Sequence, residues 1–225
     1  MSVVPTIVKD NFFKEPWNIL KYANSLDFSV THNNYPGTRS ECLSKLNHNL
    51  YLAIMYKVMG NLYDLSKSTV NYKADLQFQK ITGDYIGGWV HLDIPCQFTF
   101  IIYLDEEPDP ESGTILYNVK NKYKHKDLLE IVNSPVNKKE ESFADKSLIP
   151  DTEKYRLNLL NHFDESIKVY NKFNRMIMFD ANQPHAQGRL QHSEGTERLT
   201  LVGFVQEVSN IMQNVHAKEQ AYSSI

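Results

Sequence analysis

Apolar and polar positions change rhythm three times along the chain. Residues 3 to 8, VVPTIV, are a short run of strand-forming residues, closed by the polar Lys9-Asp10-Asn11. A helix is expected from near Lys14, because Trp17, Leu20 and Ala23 recur three residues apart and so share a face. After the turn signal Tyr35-Pro36-Gly37, Leu43, Leu46, Leu50, Ile54 and Val58 mark a second, longer helix across SECLSKLNHNLYLAIMYKVMGNLYDL. N-terminal helices thus fill about residues 11–66.

From about Asn71 the texture becomes that of strands. The stretch ADLQFQKITGDYIGGWVHLDIPCQFTFIIYLDEEPDPESGTILYNV is rich in β-branched and aromatic residues, broken by Gly87-Gly88 and by the acidic, proline-bearing loop 105–113. Residues 120–172 turn charged and largely helical, with no alternation to place them in a sheet, and are expected to form an insertion packed over a β core. Strand texture returns in FNRMIMFD (173–180) and RLTLVGFVQEV (198–208), with a turn-rich loop between them and a polar tail from Ser209. No internal repeat or low-complexity tract interrupts this plan, so a mainly β fold with flanking helices in a single domain over residues 1–225 is predicted.

Composition narrows the classes. At 225 residues, 41% hydrophobic and 12% aromatic, the chain can bury a sizeable core. Its 24 Lys+Arg against 27 Asp+Glu leave a net charge of -3, without the basic footprint of a nucleic-acid binder. Cys42 and Cys96 lack C-x-x-C spacing and are too few for a disulfide framework, so both are read as buried thiols in a reducing compartment. No signal-peptide pattern and no apolar run of membrane-spanning length are present; a soluble, cytoplasmic protein is expected, with no signal for its oligomeric state.

The candidate chemistry starts at His91-Leu92-Asp93. In a strand, residues two apart share a face, so an imidazole and a carboxylate would converge. Alone, H-x-D is more often a partly buried His–Asp hydrogen bond. A 2-His-1-carboxylate metal site needs one more histidine from a distant strand. His185, in the turn-like ANQPHAQG after the strand RMIMFD, is the best candidate, expected at the mouth of a barrel; a surface loop histidine is the plainer alternative. His32, His48, His125, His162, His192 and His216 lie in helical, charged or loop segments, with no strand-borne carboxylate two residues away.

The order of H-x-D, then Thr99-Phe100-Ile101-Ile102-Tyr103-Leu104, then Ser112-Gly113-Thr114, a distal His185, and finally Arg198-Leu199-Thr200 resembles the Fe(II)/2-oxoglutarate oxygenases, especially their prolyl-hydroxylase-like branch. The resemblance covers about residues 83–120 and 173–207. It implies a double-stranded β-helix, a cupin-like jelly roll, with Fe(II) held by His91, Asp93 and His185. It further implies 2-oxoglutarate and O2 as co-substrates, ascorbate as an optional reductant, and hydroxylation of a small molecule or protein side chain with release of succinate and CO2.

Arg198 stands thirteen residues beyond His185, longer than is usual in the family, with the excess in the loop GRLQHSEGTE. Its planar fork of donors matches a carboxylate, and Thr200 on the same strand face adds a hydroxyl, so the two would grip the far carboxylate of 2-oxoglutarate. Tyr103 resembles the family tyrosine that hydrogen-bonds that carboxylate, and Thr114 would line the same pocket. The alternatives are a surface ion pair of Arg198 with Glu197 or Glu207, a core role for Tyr103, and a turn-satisfying hydroxyl for Thr114. Trp89 shares a face with His91 and Asp93 and could wall the substrate cleft or simply be core. Arg189 and Asn182 are weaker candidates to orient His185 or meet substrate, Tyr85 has no assigned role, and the insertion sits where such enzymes often carry a lid. Two other classes compete: a non-enzymatic metal-binding jelly roll, and a cupin-type enzyme without a 2-oxo acid. The single histidine near the first motif, where cupins usually carry more, argues against the latter. A zinc hydrolase would need a placed general base, as in H-E-x-x-H, and none is recognisable.

Overall fold

The computed structural model of the chain describes residues 4–29, 31, 35–82, 85–120, 127–190 and 197–212. Among these residues the strands are β1 (Ile7–Lys9), β2 (Thr38–Arg39), β3 (Ser68–Thr82), β4 (Phe98–Tyr103), β5 (Thr114–Val119), β6 (Phe163–Val169), β7 (Met176–Asp180), β8 (His185–Gln187) and β9 (Glu197–Met212). The helices are α1 (Pro16–Asn24), α2 (Leu43–Leu46), α3 (His48–Met59), α4 (Leu128–Asn133), α5 (Val136–Ala144) and α6 (Ile149–Leu160). His32, His125, His192, His216 and most of the GRLQHSEGTE loop and polar tail lie outside the described residues.

Two antiparallel sheets form the core. The larger has the order β1-β7-β4-β9-β3-β2 and the smaller β6-β5-β8. The longest pairing joins β3 and β9, from Ser68↔Met212 to Thr82↔Glu197, with an irregularity between Lys73 and Ala74. The expected jelly-roll architecture with flanking helices is therefore observed.

Side-chain alternation sorts the larger sheet into two faces. Phe98, Phe100 and Ile102 of β4, Met176 and Met178 of β7, and Leu199 and Leu201 of β9 share one core with Leu20, Ala23, Leu43, Ile54, Met55 and Val58 of the N-terminal helices. Ile101 and Tyr103, Ile177 and Phe179, and Val202 turn the other way, onto Leu116 and Val169 of the smaller sheet. Both faces are covered, which is why β4 is buried at every position. Burying each large apolar side chain contributes about 1.5–3 kcal/mol relative to leaving it in water. Gly203 sits opposite Phe100, whose ring occupies the space a Cβ would need.

Three expectations from the sequence are corrected. The single helix expected after residue 40 is two: Asn47 leaves helical geometry, and its side chain accepts from the Leu50 amide at 3.0 Å, capping α3 as α2 ends. Leu46, expected on the buried line, is accordingly exposed. Trp17, expected on the inner face of α1, is also exposed and lies against Phe173 with ring centroids 4.6 Å apart. The insertion expected over 120–172 ends earlier: α4, α5 and α6 are helical, but Phe163–Val169 is β6, paired with β5 at the edge of the smaller sheet. Only Phe163 and Val169 of β6 are buried, so the charged middle of an edge strand lacks the alternation that marks a half-buried one.

The three insertion helices cover the smaller sheet. Leu128 and Leu159 are buried with Trp89, Val90, Ile115, Tyr117, Phe163 and Ala186, and Phe143 packs against them. Among the described residues no helix is long and apolar enough to cross a membrane.

Candidate active site

The segment carrying His91 is not a regular strand, contrary to expectation. It touches the smaller sheet through isolated bridges, Gly87↔Arg189 and His91↔His185. The His91 amide donates to His185 O at 3.0 Å and the His185 amide to His91 O at 3.1 Å. Beyond His91 the chain leaves the sheet, because Asp93 N–H bonds Ala181 O and Cys96 N–H turns back to Asp93 O. Gly88 permits this approach: a Cβ there would collide with the backbone of Gln187. His185 belongs to β8 and is buried, rather than sitting in an open turn at a barrel mouth.

A pair of residues that exchange both backbone bonds points its side chains to the same face. The His91 and His185 rings are therefore neighbours, with centroids 4.3 Å apart. His91 Nδ1 lies 2.7 Å from Trp89 O and His185 Nδ1 lies 2.9 Å from Gln183 O. A carbonyl only accepts, so both Nδ1 atoms carry a proton, and Nε2 is the ring atom each histidine has left to meet a metal. Those nitrogens face Asp93, at 3.6 Å from Oδ1 for His91 and 3.2 Å from Oδ2 for His185. Thr99 Oγ1 donates to Asp93 Oδ2 at 2.6 Å and fixes the carboxylate.

Burial pushes the His91 imidazole down to about 3, which keeps it neutral. Burial would raise the Asp93 carboxyl, but attraction to His185, the hydrogen bond between them and the Thr99 hydrogen bond outweigh it and hold the group below the usual carboxylate range. One ligand atom from each of the three residues lies within 4.8 Å of the others, so the cluster can hold a metal ion. Two imidazoles and one carboxylate are the donor set suited to a non-heme Fe(II) with open positions.

A second polar cluster lies between the sheets. Tyr103 Oη and Thr114 Oγ1 are 2.7 Å apart, and the Arg198 guanidinium carbon is 5.5 Å from the Tyr103 ring centroid. Arg198 is 2% exposed and Thr200 fully buried. Arg198 Nε donates to Ser112 O at 2.9 Å, but among the described residues its Nη2 and the Thr200 hydroxyl have no hydrogen-bond partner. An unpaired buried polar group costs roughly 1–3 kcal/mol, more when charged, so a fold carrying two side by side is built to receive an acceptor there. Glu197, offered as a surface partner for Arg198, instead pairs with Lys80 at 3.4 Å. Thr114 is the first residue of β5, not a turn residue, and its hydroxyl serves Tyr103 rather than the turn backbone.

A cavity of about 510 Å³ is lined by His91, Asp93, His185, Thr99 and, of the second cluster, Thr114; Tyr103, which bonds Thr114, and Arg198 and Thr200 are buried outside its lining. Ile101, Val202 and Phe204 make its apolar floor, and Trp89 part of its wall. Tyr35 and Arg39, and Lys139, Glu140 and Phe143 of α5, also line it; these less buried residues are its outer end here.

The chain matches the family of unknown function DUF6445 over residues 2–205. It belongs to that family. No curated protein matches it. Among solved structures it is similar to HygX from Streptomyces hygroscopicus with nickel and 2-oxoglutarate bound: 16% identity, 89% of this chain, 81% of that one, TM-score 0.53. HygX with iron bound gives 15% identity, 89% and 80% coverage and TM-score 0.51. A prolyl hydroxylase from Trichoplax adhaerens, in complex with a hypoxia-inducible-factor peptide fragment, gives 12% identity, 98% and 87% coverage and TM-score 0.49. The fold of this DUF6445 protein is that of the 2-oxoglutarate/Fe(II) oxygenases.

Other sequence candidates fall away from the cavity of this DUF6445 chain. Arg189 pairs with Asp109 at 3.0 Å, and Asn182 bonds Asp180, so neither orients His185. Tyr85 packs with Ile81 and Leu190 and meets Phe143 edge-on. Cys42 and Cys96 are both partly exposed rather than buried. Cys96 lines the cavity, and burial raises its thiol to about 11. Sequence reasoning missed Thr99 as the residue bonded to Asp93, although it stands in the quoted Thr99–Leu104 motif. It also missed Arg39 and Lys139, which belong to no motif.

Proposed function

We propose that this chain is an Fe(II)- and 2-oxoglutarate-dependent dioxygenase that hydroxylates its substrate with release of succinate and CO2. The observation that carries the reading is the buried Arg198, whose Nη2, like the Thr200 hydroxyl, has no partner among the described residues, behind a cavity lined by two histidines and a carboxylate. A stability site alone would have no use for a desolvated guanidinium at that depth. Similarity to HygX, whose structure carries nickel and 2-oxoglutarate, supports it.

His91 Nε2, His185 Nε2 and an Asp93 oxygen would hold the metal. Bound there, Fe(II) supplies oxygen activation coupled to oxidative decarboxylation of the 2-oxo acid. The rest is the work of this chain's side chains. Arg198 and Thr200 bind the distal carboxylate of 2-oxoglutarate, with charge-assisted donors in a site that excludes water. Tyr103, oriented by Thr114, donates to the same carboxylate. Thr99 holds Asp93 in its ligating rotamer, and the carbonyls of Trp89 and Gln183 fix the histidine tautomers. Ile101, Val202 and Phe204 keep solvent from the reacting atoms. The Thr99–Leu104 and Ser112–Thr114 motifs favour the prolyl-hydroxylase-like branch, acting on a small molecule or a protein side chain, with ascorbate as an auxiliary reductant.

The test is release of succinate from 2-oxoglutarate, followed by NMR in air with Fe(II) and ascorbate. Turnover should require iron and should vanish in His91→Ala. Iron bound at one equivalent with no succinate formed over hours, with or without candidate substrates, would return the protein to the cupin or non-enzymatic readings.

A further inference from the structure

The outer end of the cavity carries two cations that the proposed chemistry does not use. Arg39 lies with its guanidinium carbon 3.7 Å from the Tyr35 ring centroid and 5.1 Å from that of Phe204, so its plane is held between two aromatic rings. Its Nε is sealed from solvent and has no hydrogen-bond partner among the described residues. Burial lowers its pKa to about 10, which leaves it charged at neutral pH. Across the cavity Lys139 of α5 is partly buried, and burial lowers its pKa against the attraction of Asp93. Among the described residues neither cation forms an ion pair. Both line the same cavity as His91, Asp93 and His185.

Charge accounting makes the surplus specific. A divalent metal, the Asp93 carboxylate, the 2-oxoglutarate dianion and the Arg198 cation cancel. Glu140 offsets one of the two outer cations, so the loaded cavity keeps one positive charge where a second molecule must enter. A buried charge without a partner is costly, and an arriving anion would neutralise it. A guanidinium stacked in a fixed plane offers paired donors to a planar carboxylate. A second cavity of about 300 Å³ shares Trp89, His91, Leu92, Ile94, Val136 and Lys139 with the first. Its remaining wall is mostly apolar, from Val90, Leu129, Val132, Pro135 and Leu159. Lys139 thus stands where a charged head would meet an apolar chamber.

We infer that the substrate is a carboxylic acid with an apolar body, its carboxylate held between Arg39 and Lys139 and its body in the chamber beneath α4–α6. This rests on the dioxygenase reading, which assigns the inner donors to 2-oxoglutarate. The test uses protein loaded with Ni(II) and saturating 2-oxoglutarate, and calorimetry with octanoate and hippurate, each beside its primary amide, and with acetate. The acids should bind at least tenfold tighter than their amides, and octanoate at least tenfold tighter than acetate. Arg39→Met and Lys139→Met should each weaken acid binding at least tenfold while leaving 2-oxoglutarate affinity unchanged. Lys139 is only partly buried, on a helix outside both sheets, so its variant keeps the test informative even where Arg39→Met fails to fold. Amides binding as well as acids, acids that displace 2-oxoglutarate, or an Arg39→Met variant that loses 2-oxoglutarate instead would overturn the inference. Wild-type protein that binds Ni(II) but not 2-oxoglutarate would bring down the dioxygenase reading as well, and is told apart by that first titration.

Discussion

The two ends of the cavity are built differently. At the inner end Tyr103, Thr200 and Arg198 stand on β4 and β9, whose register pairs Tyr103 with Thr200, and Thr114 opens β5. At the outer end Arg39 closes the two-residue strand β2, and Lys139 and Glu140 ride on a helix of the insertion. Inner side chains are held by strand ladders covered on both faces; outer ones by aromatic stacking and by a helix of the insertion outside both sheets. This division suits a scaffold that keeps one constant co-substrate site while its outer elements set which second molecule enters.

The comparison can be broken at four points. The largest effect is expected from Asp93→Ala, which removes the only anionic ligand while the Asp93 amide still bonds Ala181. Iron affinity measured by competition with a chelator should fall more than a hundredfold with an unchanged circular dichroism spectrum. Gly203→Ala should cost the scaffold about 3 kcal/mol, since a Cβ must displace the Phe100 ring in the core. Glu140→Ala at the outer end should change the urea midpoint by less than about 0.5 kcal/mol. Equal losses from the two would erase the distinction between rigid and adaptable ends. Thr99→Val should lower metal affinity about 10–100-fold by freeing Asp93 Oδ2, without loss of stability beyond about 1.5 kcal/mol.

A fifth test, away from the cavity, concerns Asp10, which joins the segment after β1 to Arg175 and Lys172 at 2.6 and 2.8 Å. The hydrogen bonds from Arg175 and Lys172 hold its carboxyl well below the usual range. A folded pKa below the unfolded one adds stability above about pH 4 and loses it as the pH falls through the folded value. The pair is solvent-exposed, so Asp10→Asn should cost at most about 1 kcal/mol near neutrality. Urea midpoints of the two proteins should converge in strong acid; a gap that widens there would have the wrong sign.

How much of this was legible in the sequence also divides along the cavity. Tyr103 and Arg198 could be named because their motifs resemble those of the Fe(II)/2-oxoglutarate oxygenases, Thr200 because strand period two puts it on the face of Arg198, and the distal His185 because a strand pattern precedes it. The irregular path of His91–Asp93 could not be read, since it depends on the bond from Asp93 N–H to Ala181 and on the close pass of Gly88 over Gln187. β6 was hidden because its exposed centre, DESIK, has the charge texture of the helices before it. Asn47, a cap inside an apolar periodic run, was legible in principle: Asn is a poor helix-interior residue and a good cap. Arg39 gave no signal of its own. A lone arginine after a turn becomes notable only when folding sets it between Tyr35 and Phe204, far apart in sequence.

The central claim is that Arg198 at the inner end exists to hold 2-oxoglutarate on a metal bound by His91, Asp93 and His185. Anaerobic titration of the Fe(II) protein with 2-oxoglutarate, followed by the weak visible charge-transfer absorption of the chelate, tests it most directly. The wild type should develop the band with saturation, His91→Ala should show none, and Arg198→Met should need at least a hundredfold more 2-oxoglutarate while binding iron normally. Iron-loaded wild type without a band, or an Arg198→Met titration that overlays the wild type, would contradict it.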